Sequence, residues 1–573
     1  MSADIVAGSP PHPAPLPRKG RGSTRRFRLS ALDAVALLLS LTLVIPIASV
    51  CFSLFSGQTT VFVHLAQTVL AEYAANTLML TALVIIGVLI VGVPAAWLTA
   101  CCEFPGRRVL EAALILPLAA PAYVLAYAYA DFLSAYGPVQ EMLRNSTGWE
   151  TGDYWFPDVR SLPGAALMLT LTLYPYVYLL VRARFLNESA SAREAARLLG
   201  RGAWSSFFSV SLPLARPALV AGATLAAMNT FADYGTVSYF GVPVFTTGIY
   251  SAWFSFSDQI AARELAAVLI GFVALALLAE RVLRGRAAFH ETGRRDWRPA
   301  RYRLSPRKSA AAILACIMPP LLGFVVPALV LGALLVESGG PARDFSRHLF
   351  NTLTLAASAG IVVTLGALVL AFARKEHPQG IAGRAASFAG LGYAVPGSVI
   401  AVGVLVPFAA FDNGIANFFR NAYGISPGLI LTGGIAALLF AYTALYLAVA
   451  LQSVDAGLTR VTPSIGGAAQ LLARGPWDVL RRVYLPLIAP SVLTGALLVF
   501  VDVMKELPAT LILRPFNFDT LAIAASNYAS DERLSWAAAP SLAIVAAGII
   551  PCILLIRSIA SSAQGGDETP PLP

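Results

Sequence analysis

Apolar residues run along this chain in long blocks separated by short polar or Arg-rich stretches. The blocks fall at 31–54, 75–100, 110–132, 161–181, 217–237 and 263–283, and again at 310–336, 351–373, 385–410, 428–452, 488–512 and 538–558. An apolar run of about 20 residues is long enough to cross the hydrocarbon core as one helix. The pattern therefore predicts an all-α polytopic membrane protein with about twelve transmembrane helices. The two sets of six also align with each other. At a shift of 275, Asn76-Thr77-Leu78 matches Asn351-Thr352-Leu353 and Pro121 matches Pro396. Self-similarity at a fixed distance marks homologous modules. Six spans return each half to the same side of the membrane, so the repeats are expected to be parallel.

The polar loops after the fourth block of each half carry a second match. The first reads Glu194-Ala195-Ala196, three residues, Gly200, nine residues, Val210-Ser211-Leu212-Pro213. The second reads Gly467-Ala468-Ala469, three residues, Ala473, nine residues, Val483-Tyr484-Leu485-Pro486. In the first, Ala195, Ala196, Leu198 and Leu199 alternate with Arg193, Glu194, Arg197 and Arg201, which predicts a short two-sided helix closed by glycine. Small residues allow a partner's backbone to approach closely. Trp204, Phe207 and Phe208 are expected as bulky anchors on the return path, and Leu212-Pro213 starts the next span. A helix lying in the lipid headgroups is the other reading of one such loop. Its recurrence at the same topological place favours a docking element.

Composition supports the membrane assignment, with 57% hydrophobic residues, 13% charged residues and a mean hydropathy of +0.70. Of the 41 Lys and Arg, 32 fall on the side that holds the N-terminus, eight fall on the other, and Lys505 sits at a helix end. The positive-inside rule then places both termini in the cytoplasm. The net charge of +10 reflects topology and does not call for nucleic acid. The expected organisation is a disordered cytoplasmic tail at 1–28, a first module at 29–285 with its docking loop at 184–215, and a basic linker at 286–308. A second module follows at 309–560 with its loop at 453–487, then a cytoplasmic tail at 561–573. The first block is read as a retained span and not a signal peptide. Cys51, Cys101, Cys102, Cys316 and Cys552 are scattered without metal-ligand spacing.

A docking loop implies a motor that the chain lacks. A phosphate-binding loop requires lysine after glycine. None of the four lysines, Lys19, Lys308, Lys375 and Lys505, follows one.

Twenty residues past each Leu-Pro stands an acid, Asp233 in one half and Glu506 in the other, with Asn229 and Asp502 four residues earlier. Residues four apart share a helix face. Facing each other across the pseudo-symmetry, they are expected to form two layers of oxygen ligands, Asn229 with Asp502 and Asp233 with Glu506. Intramembrane carboxylates are functional candidates, and hard cations prefer such oxygens. Docking or gating, and plain solvation of a helix end, are the alternative roles. Tyr123, Tyr127, Tyr129 and Tyr136 either line the route or form an interfacial belt. No firm metal site is expected, only transient contacts with a hard cation at Asp233, Asp502 and Glu506.

The loop motif resembles the signature of bacterial binding-protein-dependent ABC importer permeases. The first copy matches throughout, whereas Gly467 and Ala473 depart from it in the second. Asp233-Tyr234-Gly235-Thr236-Val237, Phe245-Thr246-Thr247-Gly248 and Lys505-Glu506-Leu507-Pro508-Ala509-Thr510 further resemble fused two-domain ferric-iron permeases. The resemblance implies a type I importer permease fold in the inner membrane and no enzyme site in this chain. It implies two copies of an ATP-binding subunit using ATP and Mg at the loops, and a periplasmic ferric-iron-binding protein. Thiamine, phosphonate and polyamine permeases carry similar text, and Tyr234 and Lys505 join the candidate path. An ion-gradient transporter and a membrane-embedded enzyme are the remaining classes. The first leaves the doubled loop unexplained, and the five His residues suggest no catalytic or metal cluster for the second.

Overall fold

A computed structural model describes residues 31–55, 60–186, 203–284, 301–376, 380, 383–385, 395–462, 464–465 and 476–564. Among these, ten helices are long and apolar enough to cross a membrane, and two bent pairs raise the count to as many as twelve. The chain is thus all-α and polytopic. The first half contributes α1 (Ala31–Ser53), α2 (Leu70–Cys101), α3 (Ala122–Phe132), α4 (Leu162–Leu186), α5 (Arg216–Ala232), α6 (Gly235–Tyr239) and α7 (Gln259–Arg284). The second contributes α8 (Pro306–Glu337), α9 (Phe345–Glu376), α10 (Gly397–Tyr423), α11 (Ala436–Thr459), α12 (Leu485–Met504), α13 (Pro508–Leu513) and α14 (Leu534–Gln564).

The backbone repeats itself in detail. Left-handed residues recur at Gly148 and Gly424, at Gly241 and Asn517, and at Ser257 and Glu532. Glycine and asparagine tolerate that region best. Asn76 donates to the Pro243 carbonyl at 2.9 Å, and its counterpart Asn351 donates to the Asp519 carbonyl at 3.0 Å. Beside them, Thr77 accepts from the Phe245 amide and Thr352 from the Leu521 amide. The matched triplets in the sequence are therefore matched clamps on the loop that follows each broken span.

Close helix packing rests on small residues, as is usual where lipid supplies no hydrophobic drive. A Cβ on Gly222 of α5 would lie 2.9 Å from Val177 Cα of α4, and one on Gly92 of α2 would lie 3.0 Å from the Tyr174 carbonyl oxygen. The fourth span is thus gripped from both sides.

Four expected spans differ from the structure. The block 110–132 is two helical pieces, Arg107–Ala119 and α3, bent by 93°. Ala120 precedes Pro121 and is pushed into the extended region, which ends the first piece. The blocks 217–237 and 488–512 both break, after Ala232 and after Met504. The block 428–452 becomes helical only at Ala436. Before it, the buried Asp412 carboxylate accepts from the amides of Ile430, Leu431 and Thr432 and holds that loop in a non-helical path.

The tail 1–28, most of the linker 286–308 and the last residues of the chain lie outside the described residues. The described end of the linker forms a parallel pairing, Tyr302 and Arg303 beside Cys102 and Glu103. Arg301 bonds Glu103 at 3.2 Å, and the Tyr302 ring packs 6.0 Å from Trp97.

Candidate functional site: a cavity between the halves

A cavity of about 260 Å³ opens where the broken spans of the two halves meet. All six candidate path residues line it: Asn229, Asp233, Tyr234, Asp502, Lys505 and Glu506. Pro121 and Tyr123 join them from the bend at α3, Tyr176 from α4 and Tyr446 from α11.

The acids do not form the two ligand layers expected of continuous helices. Asp233 lies just beyond α5 in extended conformation and so shares no helix face with Asn229. Its carboxylate accepts from the Thr236 and Val237 amides, both at 3.1 Å, and from Thr236 Oγ1 at 2.9 Å. Glu506 repeats the arrangement beyond α12. It accepts from the Ala509 amide at 2.6 Å, the Thr510 amide at 3.0 Å and the Thr510 hydroxyl. Each acid therefore caps the short helix after the break, satisfying amides that would otherwise be buried without partners. Pro508 assists as a first-turn proline.

Asp502 and Lys505 are the charged pair that faces the open space. Lys505 Nζ lies 2.9 Å from Asp502 Oδ1, and the side chains retain 32% and 26% exposure, respectively. The turn that carries them is held from both halves. Tyr123 donates to the Lys505 carbonyl at 3.2 Å, and Tyr446 donates to the Asp502 carbonyl at 3.5 Å. Tyr250 stacks on Tyr234 with ring centres 3.7 Å apart and donates to the Pro508 carbonyl. Asn229 donates to the Leu225 carbonyl at 2.9 Å.

The four tyrosines near the third span divide. Tyr123 lines the cavity, Tyr127 packs 4.7 Å from Tyr239, and Tyr129 donates to the Leu322 carbonyl at 2.6 Å. Only Tyr136 is open to the surroundings, at 88% exposure. Tyr176 and Tyr446 were not apparent from the sequence, since an aromatic within an apolar span reads alike whether it lines a cavity or packs. No group of three or more His, Cys, Asp and Glu side chains among the described residues is arranged to hold a metal ion.

At the loops, Glu194, Ala195, Ala196 and Gly200, and likewise Gly467, Ala468, Ala469 and Ala473, lie outside the described residues. The return paths are described and match: π-helical turns at Phe207–Ser211 and Leu480–Tyr484 lead into Leu212-Pro213 and Leu485-Pro486. Of the expected anchors, Phe207 is buried 5.0 Å from Trp97, whereas Phe208 is 62% exposed. The side chain of Trp204 is not among those described. The halves differ beyond Leu-Pro. The first path bends by 63° before Arg216, whereas the second runs on as one helix from Leu480 to Met504. Pro217 and Pro490 occupy corresponding places, so proline permits the bend without dictating it.

Comparison with known proteins places this architecture. The sequence profile of the binding-protein-dependent transport system inner membrane component family matches residues 90–283. The Fe(3+)-transport system permease protein FbpB 2 of Haemophilus influenzae is 27% identical over 496 residues, covering 85% of this chain and 90% of that protein. The molybdenum transport system permease protein ModB of Escherichia coli is 30% identical over 166 residues, 29% of this chain and 69% of that protein. The sulfate transport system permease protein CysW of Escherichia coli is 28% identical over 197 residues, 34% of this chain and 65% of that protein. The chain belongs to the binding-protein-dependent transport system inner membrane component family, and it is a multi-pass membrane permease.

Proposed function

We propose that this chain is the permease subunit of an ATP-driven importer and that its cargo is ferric iron. A periplasmic binding protein delivers the ion to the outward face. Two cytoplasmic ATP-binding subunits, using ATP and Mg, move the halves through the loops that begin at Glu194 and Gly467 and return through Leu212-Pro213 and Leu485-Pro486. Both termini face the cytoplasm in this reading.

The observation that carries the cargo assignment is the polarity of the helix ends at the cavity. The amide ends of α6 and α13 are already occupied by Asp233 and Glu506. The carbonyl ends of α5 and α12 reach the cavity through Met228, Asn229 and Ala232, and through Asp502 and Lys505. A helix carries roughly +0.5 charge at its amide end and −0.5 at its carbonyl end. The two carboxylates outweigh the amide ends they cap, the carbonyl ends of α5 and α12 add to the negative side, and the Asp502–Lys505 pair adds nothing. That field favours a cation. The long match to an Fe(3+)-transport permease agrees with it.

Two observations favour an oxyanion instead. Lys505 places an ammonium in the cavity, and two shorter matches are to molybdenum and sulfate permeases. The test is ATP-dependent uptake into proteoliposomes holding the complete complex, comparing radiolabelled ferric iron, molybdate, sulfate and thiamine. Uptake of iron alone is expected. Uptake of molybdate or sulfate without iron refutes the cation reading.

A further inference from the structure

The Asp502–Lys505 pair stands in an unfavourable place for its acid. Asp502 lies in the last turn of α12, where the carbonyl end of the helix repels a carboxylate, whereas Lys505 at the C-cap is favoured there. The caps explain Asp233 and Glu506, but among the described residues no backbone amide is bonded to the Asp502 carboxylate. It pairs with Lys505, three residues on. The two carbonyls of this turn are held by Tyr446 and by Tyr123 from the opposite half. The backbone is thus fixed while both side chains face the cavity.

We propose that Lys505 is a built-in counter-cation, a specificity-determining residue whose ammonium occupies Asp502 until a multivalent cation displaces it. This rests on the cation reading above and adds the means of selection. A monovalent ion gains no more from Asp502 than the tethered ammonium already does. Coulomb attraction scales with charge, so a divalent or trivalent ion at the same distance gains about two or three times as much. The cavity, at about 260 Å³, has room for such an ion with water around it, since each water takes about 30 Å³ of liquid volume. The long, flexible lysine stem lets the ammonium leave and return while the backbone stays in place. Its return displaces the cargo from Asp502, so the ion is not trapped on the way through.

The test uses the full chain in complex with its ATP-binding subunits and Mn2+ as the probe, read by electron paramagnetic resonance. Lys505→Met removes the charge and keeps the length, Lys505→Gln is a second neutral variant, and Lys505→Arg keeps the charge. Both neutral variants are expected to bind Mn2+ at least tenfold more tightly than the unaltered complex. Lys505→Arg is expected to bind as the unaltered complex does, and Asp502→Asn added to either neutral variant should abolish the gain. The neutral variants should also slow iron uptake while retaining more metal per complex. Equal Mn2+ binding by a folded neutral variant and the unaltered complex overturns the proposal, as does a gain that survives Asp502→Asn. Should one neutral variant not fold, the other decides. If the unaltered complex imports iron but Lys505→Met gains no Mn2+ affinity, the counter-cation role alone falls. If it imports molybdate and not iron, the cation reading falls with it.

Discussion

Replacing Asp233 by alanine and by asparagine separates a cap from a cargo ligand. The carboxylate satisfies two backbone amides and one hydroxyl at 2.9–3.1 Å. Alanine leaves the Thr236 and Val237 amides without their acceptor. Each buried group left unsatisfied costs about 1–3 kcal/mol, so the loss should be about 3 kcal/mol, roughly a hundredfold in the local opening equilibrium. Asparagine keeps an oxygen that accepts from the same amides and loses only the charge reinforcement, roughly 1 kcal/mol. Hydrogen–deuterium exchange across residues 235–239 reads this directly. Alanine should lower protection about a hundredfold and asparagine tenfold or less. Iron uptake supplies the second readout. For a cap, Asp233→Asn should stay within a fewfold of the unaltered complex. Stable asparagine protein that loses iron uptake tenfold or more would show that the carboxylate binds cargo directly and does not merely add to the field from its cap, and the capping account would be refuted.

Three other perturbations probe the frame. Gly222→Val forces side-chain atoms against Val177; it should cost about 1–3 kcal/mol by overpacking and lower the thermal midpoint in detergent. Asp412→Ala removes the acceptor of three loop amides, so exchange at 430–432 should rise at least tenfold while the transmembrane helices keep their protection. Glu194→Arg should weaken binding of the ATP-binding subunit without affecting membrane insertion. Full binding and transport by the purified variant would exclude a docking role for that residue.

Much of the frame is written locally. Asn76 and Asn351 announce the repeat in the sequence, and in the structure they make the same bond to the same loop. Pro121 and Pro396 likewise stand in matched extended backbone ahead of a helix. Asp233 and Glu506 were legible as helix ends, but the short helices that restart at Gly235 and Pro508 were not, because the apolar blocks run on to 237 and 512. A signal was present: an acid followed three and four residues later by amides that open a helix is a helix-start pattern. That pattern converts two supposed ligands into caps and leaves Asp502 as the acid paired in the cavity. The meeting of Tyr123 with the Lys505 carbonyl, 382 residues apart, depends on how the halves pack and has no local signature.

The central claim is that the cavity between the halves passes a cation in response to ATP. It is tested most directly by ATP-dependent iron uptake into proteoliposomes holding the complete complex, with and without Asp502→Asn. The account predicts iron uptake that requires both the binding protein and ATP and falls at least tenfold in the variant. Molybdate uptake in place of iron, or iron uptake indifferent to the loss of Asp502, would contradict it.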